Sequence, residues 1–313
     1  MKKVFLGLVV GVLFSVPALA CLNGTTKILA NGTLLYEDYE GFVPHGHEFG
    51  SAEHLKEILI SLEKGYAKTK DMDYLSDKGY ILVIQGKYQE AIELYKKIES
   101  IEPGRYSTAS NIGTAYELTG NNLEALKWIE KSINISSKSH FYSEWIHVNI
   151  LKAKIKGEKY ITSGFLIGKD FGKDSFPKSD MDNDSLEALR QQLYFQLNER
   201  MFFVKPEDKI VARLLFDLGN LSYLLGDRDE ATENYKLAKE YGFHDPVLKE
   251  RMKFYSPPVI EHVEKKVVKE IKFQTKKSRR SQLMGIIVSV FALFFSGLII
   301  FIFRKKIFPK LIS

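Results

Sequence analysis

Three copies of one small-residue spacing run through this chain: Gly79, Gly86 and Ala91; Gly113, Gly120 and Ala125; Gly219, Gly226 and Ala231. Within each set the steps are seven and then five residues, and the first two sets lie 34 residues apart. A fixed period of this length marks a structural unit that cannot bury its own apolar face and must stack on its neighbours. That constraint predicts an array of helix–turn–helix units. The 313-residue chain has an ordinary apolar fraction of 45% and so can bury a real core.

Two contiguous units are read at residues 72–105 and 106–139, and a third at 212–245. In the first, Gly79 falls where a missing Cβ lets two helices approach closely. Gly86 sits at the turn, Tyr88 packs over it, Ala91 is the small contact where the helices cross, and Tyr95 fills the groove beside it. Pro103 closes the unit, because proline cannot continue a helix. The second keeps Gly113, Tyr116, Gly120 and Ala125, with Ile129 at the aromatic position. The third carries Leu218, Gly219, Gly226, Ala231, Tyr235 and Ala238. These residues resemble the tetratricopeptide repeat, a 34-residue helical hairpin, although Leu75, Ala109 and Leu215 replace its opening tryptophan. The resemblance implies an all-α, right-handed α-solenoid. It also implies a groove, lined by the first helices of successive units, for a protein or peptide partner. By register, Tyr80, Val83 and Ile84, then Thr114 and Glu117, then Phe216, Asn220 and Tyr223 are the candidate groove residues. A specialised form of the family clamps the acidic tails of heat-shock chaperones. Its lysine and asparagine are replaced here by Ser76 and Tyr80, and Asp217 stands where a basic residue is needed. Only Asn111 matches, which argues against that ligand.

The third set follows the second by 106 residues, and three periods would be 102, so the array is interrupted. The interruption, residues 140–211, reads as an irregular helical region with a Gly-, Lys- and Asp-rich loop at 164–184. Ahead of the first unit, Leu55, Ile58, Leu59, Leu62 and Tyr66 recur at helical spacing, which predicts a helix over 52–71. Residues 21–51 are polar and turn-rich, and Thr33–Tyr36 is a short β-prone piece within them.

The two ends carry addresses. Lys2 and Lys3, an apolar run from Val4 to Val16, and Ala18-Leu19-Ala20 read as a secretory signal peptide over residues 1–20. Cleavage there makes Cys21 the first mature residue. It is a candidate lipidation site, with a free thiol as the alternative, since Ala18 stands where a lipobox usually has leucine. Residues 283–303 are uncharged and apolar, about 31 Å long as a helix, enough to cross a hydrocarbon core of about 30 Å. A basic juxtamembrane linker at 257–282 precedes this transmembrane helix, and a tail at 304–313 follows it. The signal places the main domain outside the cytoplasm and the tail inside, a layout similar to membrane-anchored secreted bacterial members of the family. The net charge of +6 gathers largely at the ends and beside the anchor, so no nucleic-acid partner is expected.

No nucleophile elbow, P-loop or zinc-helix motif is present, so the chain reads as a scaffold in an envelope complex, not an enzyme, with no cofactor. Asp180, Asp182 and Asp184 alternate like the start of a calcium loop. Ser185 and Gln191, however, stand where that loop needs glycine and glutamate. The alternative to a scaffold is a metal-binding or enzymatic envelope protein with a site around His45 and His47. A self-associating spacer is a third reading.

Overall fold

The computed structural model describes residues 26–38, 41–138 and 140–253. All of them fall in the first of two compact units of the chain, Met1–Tyr255. The signal peptide, Cys21, the basic linker, the apolar span 283–303 and the tail lie outside the described residues. Among the described residues no helix is long and apolar enough to cross a membrane.

Eleven α-helices and one two-stranded sheet are found there. Strands β1 (Thr26–Ile28) and β2 (Leu34–Glu37) pair antiparallel and lead to α1 (Ala52–Thr69). The hairpin is the departure from an all-helical fold. It forms because Leu29, Leu35 and Tyr36 bury an apolar face against Leu55, Ile58 and Leu62 of α1. The helical hairpins follow: α2 (Met72–Ile84) with α3 (Tyr88–Ile101), and α4 (Tyr106–Leu118) with α5 (Asn122–Ile135). Next come α6 (Glu144–Lys156), the short α7 (Ser163–Ile167) and the long α8 (Asn183–Phe203). The hairpin of α9 (Lys209–Leu224) with α10 (Arg228–Glu240), then α11 (Pro246–Lys253), completes the described chain.

The three glycine sets have one physical cause. A Cβ at Gly79 would meet the Tyr95 ring at 2.6 Å, at Gly113 the Ile129 side chain at 2.6 Å, and at Gly219 the Tyr235 ring at 2.6 Å. Each pair is sixteen residues apart, so one close crossing is built three times. The turn glycine Gly86 has φ +74°, a left-handed conformation that other residues adopt only with strain.

The interrupted region differs in detail from its sequence reading. Helix α7 occupies the start of the expected 164–184 loop, because Thr162 caps it by accepting from the Phe165 amide. Helix α9 opens directly after Asp208 and leads into the third unit, because Asp208 accepts from the amides of both Ile210 and Val211. Helix α8 is bound to α6: the Trp145 indole donates to Gln192 at 2.8 Å, and the Gln196 amide donates to the Ser143 hydroxyl just before α6 at 3.0 Å.

Candidate functional site

Helices α4, α6 and α8 turn one face each toward a narrow cleft, partly open to solvent, with about 40 Å³ of room for water. Ser110, Thr114 and Glu117 line it from α4, Glu144 and His147 from α6, and Gln196, Glu199, Arg200 and Phe203 from α8. Charge is concentrated here and is paired. Buried Glu117 accepts from Arg200 Nη1 at 2.5 Å, His147 Nε2 at 2.6 Å and Lys154 Nζ at 2.6 Å. Burial alone would raise its pKa, but Arg200, His147 and Lys154 overcome it and hold the carboxyl well below the usual carboxylate range. Burial likewise opposes charge on His147, while Glu117 and Glu144 raise it. Glu144 accepts from the Tyr106 hydroxyl at 3.0 Å and is paired with His140. The cleft floor is thus a fixed alternation of anion and cation. It offers both hydrogen-bond donors and acceptors to whatever enters.

The N-terminal segment lies along the neighbouring surface and reaches from α2 to α10. Near its start, Lys27 Nζ is 3.2 Å from Asp77 of α2, and the Ala30 amide also donates to Asp77. Further on, the amides of His45 and Gly46 both donate to Asn198 Oδ1 of α8, at 3.0 and 2.9 Å. The Phe42 amide donates to Glu230 Oε1, and its carbonyl accepts from Asn234 Nδ2, both of α10 and both at 3.0 Å. The Arg190 guanidinium stacks on the Phe42 ring at 4.0 Å, and Tyr194 meets that ring edge-on at 5.5 Å.

His47 closes this arrangement. Its Nδ1 is 2.7 Å from Asp38, its Nε2 is 2.6 Å from Glu199, and Tyr36 stacks on the ring at 3.9 Å. Burial disfavours the imidazolium, yet Glu199 and Asp38 outweigh it and raise the pKa to about 10. Both ring nitrogens are therefore committed to carboxylates, and among the described residues no cluster of three or more His, Cys, Asp and Glu could hold a metal ion. Asp182 of the acidic run caps α8, accepting from the Ser185 amide at 2.8 Å.

The eight groove candidates separate into three groups. Thr114 and Glu117 line the cleft. Ile84 and Tyr223 are half-buried. Tyr80, Val83, Phe216 and Asn220 are buried and do not face a groove. Tyr80 packs against Phe49, and Phe216 stacks on Phe243 at 4.4 Å. Asn220 accepts from the Tyr235 hydroxyl at 2.8 Å and pairs with Arg251. Helix register alone treats every first helix as facing open space, whereas Val83 packs with α3 and α4, Tyr80 with the N-terminal segment, Phe216 with Phe243 after α10, and Asn220 with Arg251 of α11. Register also misses Glu144, His147, Gln196, Glu199 and Arg200, which lie in the interrupted region where no repeat register applies. A spacing signal does exist: Glu144 and His147 are three apart on α6, and Gln196 and Arg200 four apart on α8, so each pair shares a helix face.

Helical hairpins stacked in sequence, with a polar cleft between α4, α6 and α8, define a helical-repeat architecture. Residues 73–105 match the tetratricopeptide repeat family model. No curated protein matches it. Two solved structures with some likeness are a tetratricopeptide repeat protein from Parabacteroides merdae and a thermophilic TPR protein from Thermus thermophilus. The first is 16% identical over 66% of this chain and 79% of its own, with a TM-score of 0.33. The second is 15% identical over 65% of this chain and 91% of its own, also with a TM-score of 0.33. Overlap that slight assigns no role to any residue here.

Proposed function

We propose that this protein is a scaffold for protein–protein interaction, held at a membrane by residues 283–303 with its repeat array outside the cytoplasm, in an envelope complex. The observation that carries the binding role is the cleft between α4, α6 and α8, next to a matched tetratricopeptide repeat. Its walls are preformed by the Glu117–Arg200–His147 pairs, so a partner would not have to order them on binding. The tether and its direction rest on the charged, apolar and small-residue pattern at the N-terminus and on the uncharged run 283–303.

A photo-reactive side chain placed at Thr114 in the full chain, in its native membrane, tests the role of the cleft. Thr114 is expected to give a discrete adduct that is missing when the same group sits at exposed Lys97 on α3. Equal adducts at both positions, or none at Thr114, would remove the cleft as the binding site. A reporter fused after Ser313 should be active only in the cytoplasm; activity only outside it would reverse the topology.

A further inference from the structure

We infer that residues 41–47 are a resident ligand: they occupy a site on α8 and α10 that recognises a turned segment of another protein carrying an aromatic residue and, four and five positions on, a glycine and a cation. The inference deepens the scaffold reading and rests on it, because it names what the array binds.

Residues 41–50 belong to no helix or strand, so their backbone groups find few partners among themselves. Those groups are satisfied by side chains of the array. Asn198 takes two consecutive amides, Glu230 takes the Phe42 amide, and Asn234 serves the Phe42 carbonyl. Backbone-directed bonds from side chains fix the path of the segment without reading its sequence; pockets for particular side chains add the selectivity. Two such pockets exist. Arg190 and Tyr194 frame an aromatic ring, and Glu199 of α8 holds a cation together with Asp38, which follows strand β2. The close fit at Gly46 completes the site, since a Cβ there would lie 2.9 Å from the Phe202 backbone nitrogen, at φ +75°.

Glu199 is the link to the open cleft, because it lines the cleft and also pairs with His47. A cationic side chain entering the cleft can reach Glu199 and compete with His47 for it. Covalent attachment gives the resident segment a high effective concentration, so an incoming segment must match its chemistry to displace it.

The test uses the full chain and a fluorescent peptide of residues 41–50, followed by anisotropy. Two variants loosen the resident segment without touching the array: Phe42→Ala with His47→Gln, and Gly46→Ala. Each is expected to bind the peptide about tenfold more tightly than the unaltered chain, or better. Adding Asn198→Ala and Asn234→Ala to either should abolish binding, as should Phe42→Ala within the peptide. Equal affinity for altered and unaltered chains overturns the inference, as does no binding to either variant when circular dichroism shows both folded. Loss of helical signal in both variants would make the segment an integral part of the core, and also overturns it. A wild-type chain that is dimeric and becomes monomeric as the peptide binds would assign the site to a second copy of this chain instead. An adduct at Thr114 without peptide binding would leave the scaffold standing and remove only the resident ligand. Peptide binding without an adduct at Thr114 would keep the resident ligand and remove only the cleft as a binding site.

Discussion

Asp217 is fully enclosed in the last hairpin, accepting from the Ser163 hydroxyl at 2.9 Å, and its second oxygen has no hydrogen-bond partner. Burial raises its pKa to about 7, against the pull of Ser163, Arg213 and Arg251. The folded state therefore holds this proton between about pH 4 and 7 while the unfolded chain releases it, so its contribution to stability falls as pH rises through that window. Asp217→Asn should raise stability at pH 8 by on the order of 2–4 kcal/mol and change little at pH 4, as read by denaturant melts at both pH values. His47 has the opposite sense. Its folded pKa of about 10 lies above its ordinary value, so its ion pairs stabilise fully below about pH 6.5, and that stabilisation is lost as pH rises toward 10. The difference in melting temperature between the unaltered chain and His47→Gln should shrink steadily from pH 7 to pH 10. A constant difference would mean that His47 is docked uncharged. Neither residue is marked by its neighbours in sequence. Sequence sets Asp217 against a chaperone clamp and His47 against a metal site, because the partners that fix their charge, Ser163 and Glu199, are remote in the chain.

Elements are far more legible than sites. The glycine spacing locates both helices of each hairpin, since a crossing without a Cβ at Gly79, Gly113 and Gly219 is a local requirement that the chain writes three times. Gly79→Ala and Gly219→Ala should each cost about 1–3 kcal/mol, because the new methyl meets a buried tyrosine ring with no room to retreat. Gly86→Ala, with nothing within 4 Å but a positive φ, should cost about 1–2 kcal/mol through backbone strain alone. Thermal melts of the three variants separate the two causes. The start of α9 depends on a cap. Asp208→Ala, which removes the acceptor for two amides, should cost about 1 kcal/mol. The N-terminal hairpin is only partly visible in sequence, as the β-prone piece Thr33–Tyr36. Its partner strand Thr26–Ile28 turns only Lys27 inward, to Asp77 of α2, and leaves Ile28 exposed, a tie that no local pattern reports.

Across the described molecule, long-range polar ties hold the irregular pieces to the regular ones. Arg251 of α11 is fully buried and donates to the carbonyls of Phe171 at 3.1 Å and Gly172 at 2.7 Å, while also pairing with Asn220. It thereby fixes the loop between α7 and α8 against the last hairpin. Arg251→Ala leaves those acceptors unserved and should cost about 2–4 kcal/mol. Brief trypsin treatment should then cut at the exposed Lys173 or Lys178 faster than in the unaltered chain. Glu117 has the same standing in the cleft, where it gathers α4, α6 and α8 through three cations.

The sequence by itself determined that this chain stacks helical hairpins, because the repeat period and the small-residue crossings depend on residues within one unit. Only the tertiary structure decided where a ligand could bind. The cleft is assembled from α4, α6 and α8 across more than eighty residues of chain, and the segment beside it is fixed by partners about 150 to 190 residues away. A periodicity reports which face of a helix is apolar. It does not report which face another part of the chain will cover, and that is what buried Tyr80 and Asn220 while leaving Thr114 open.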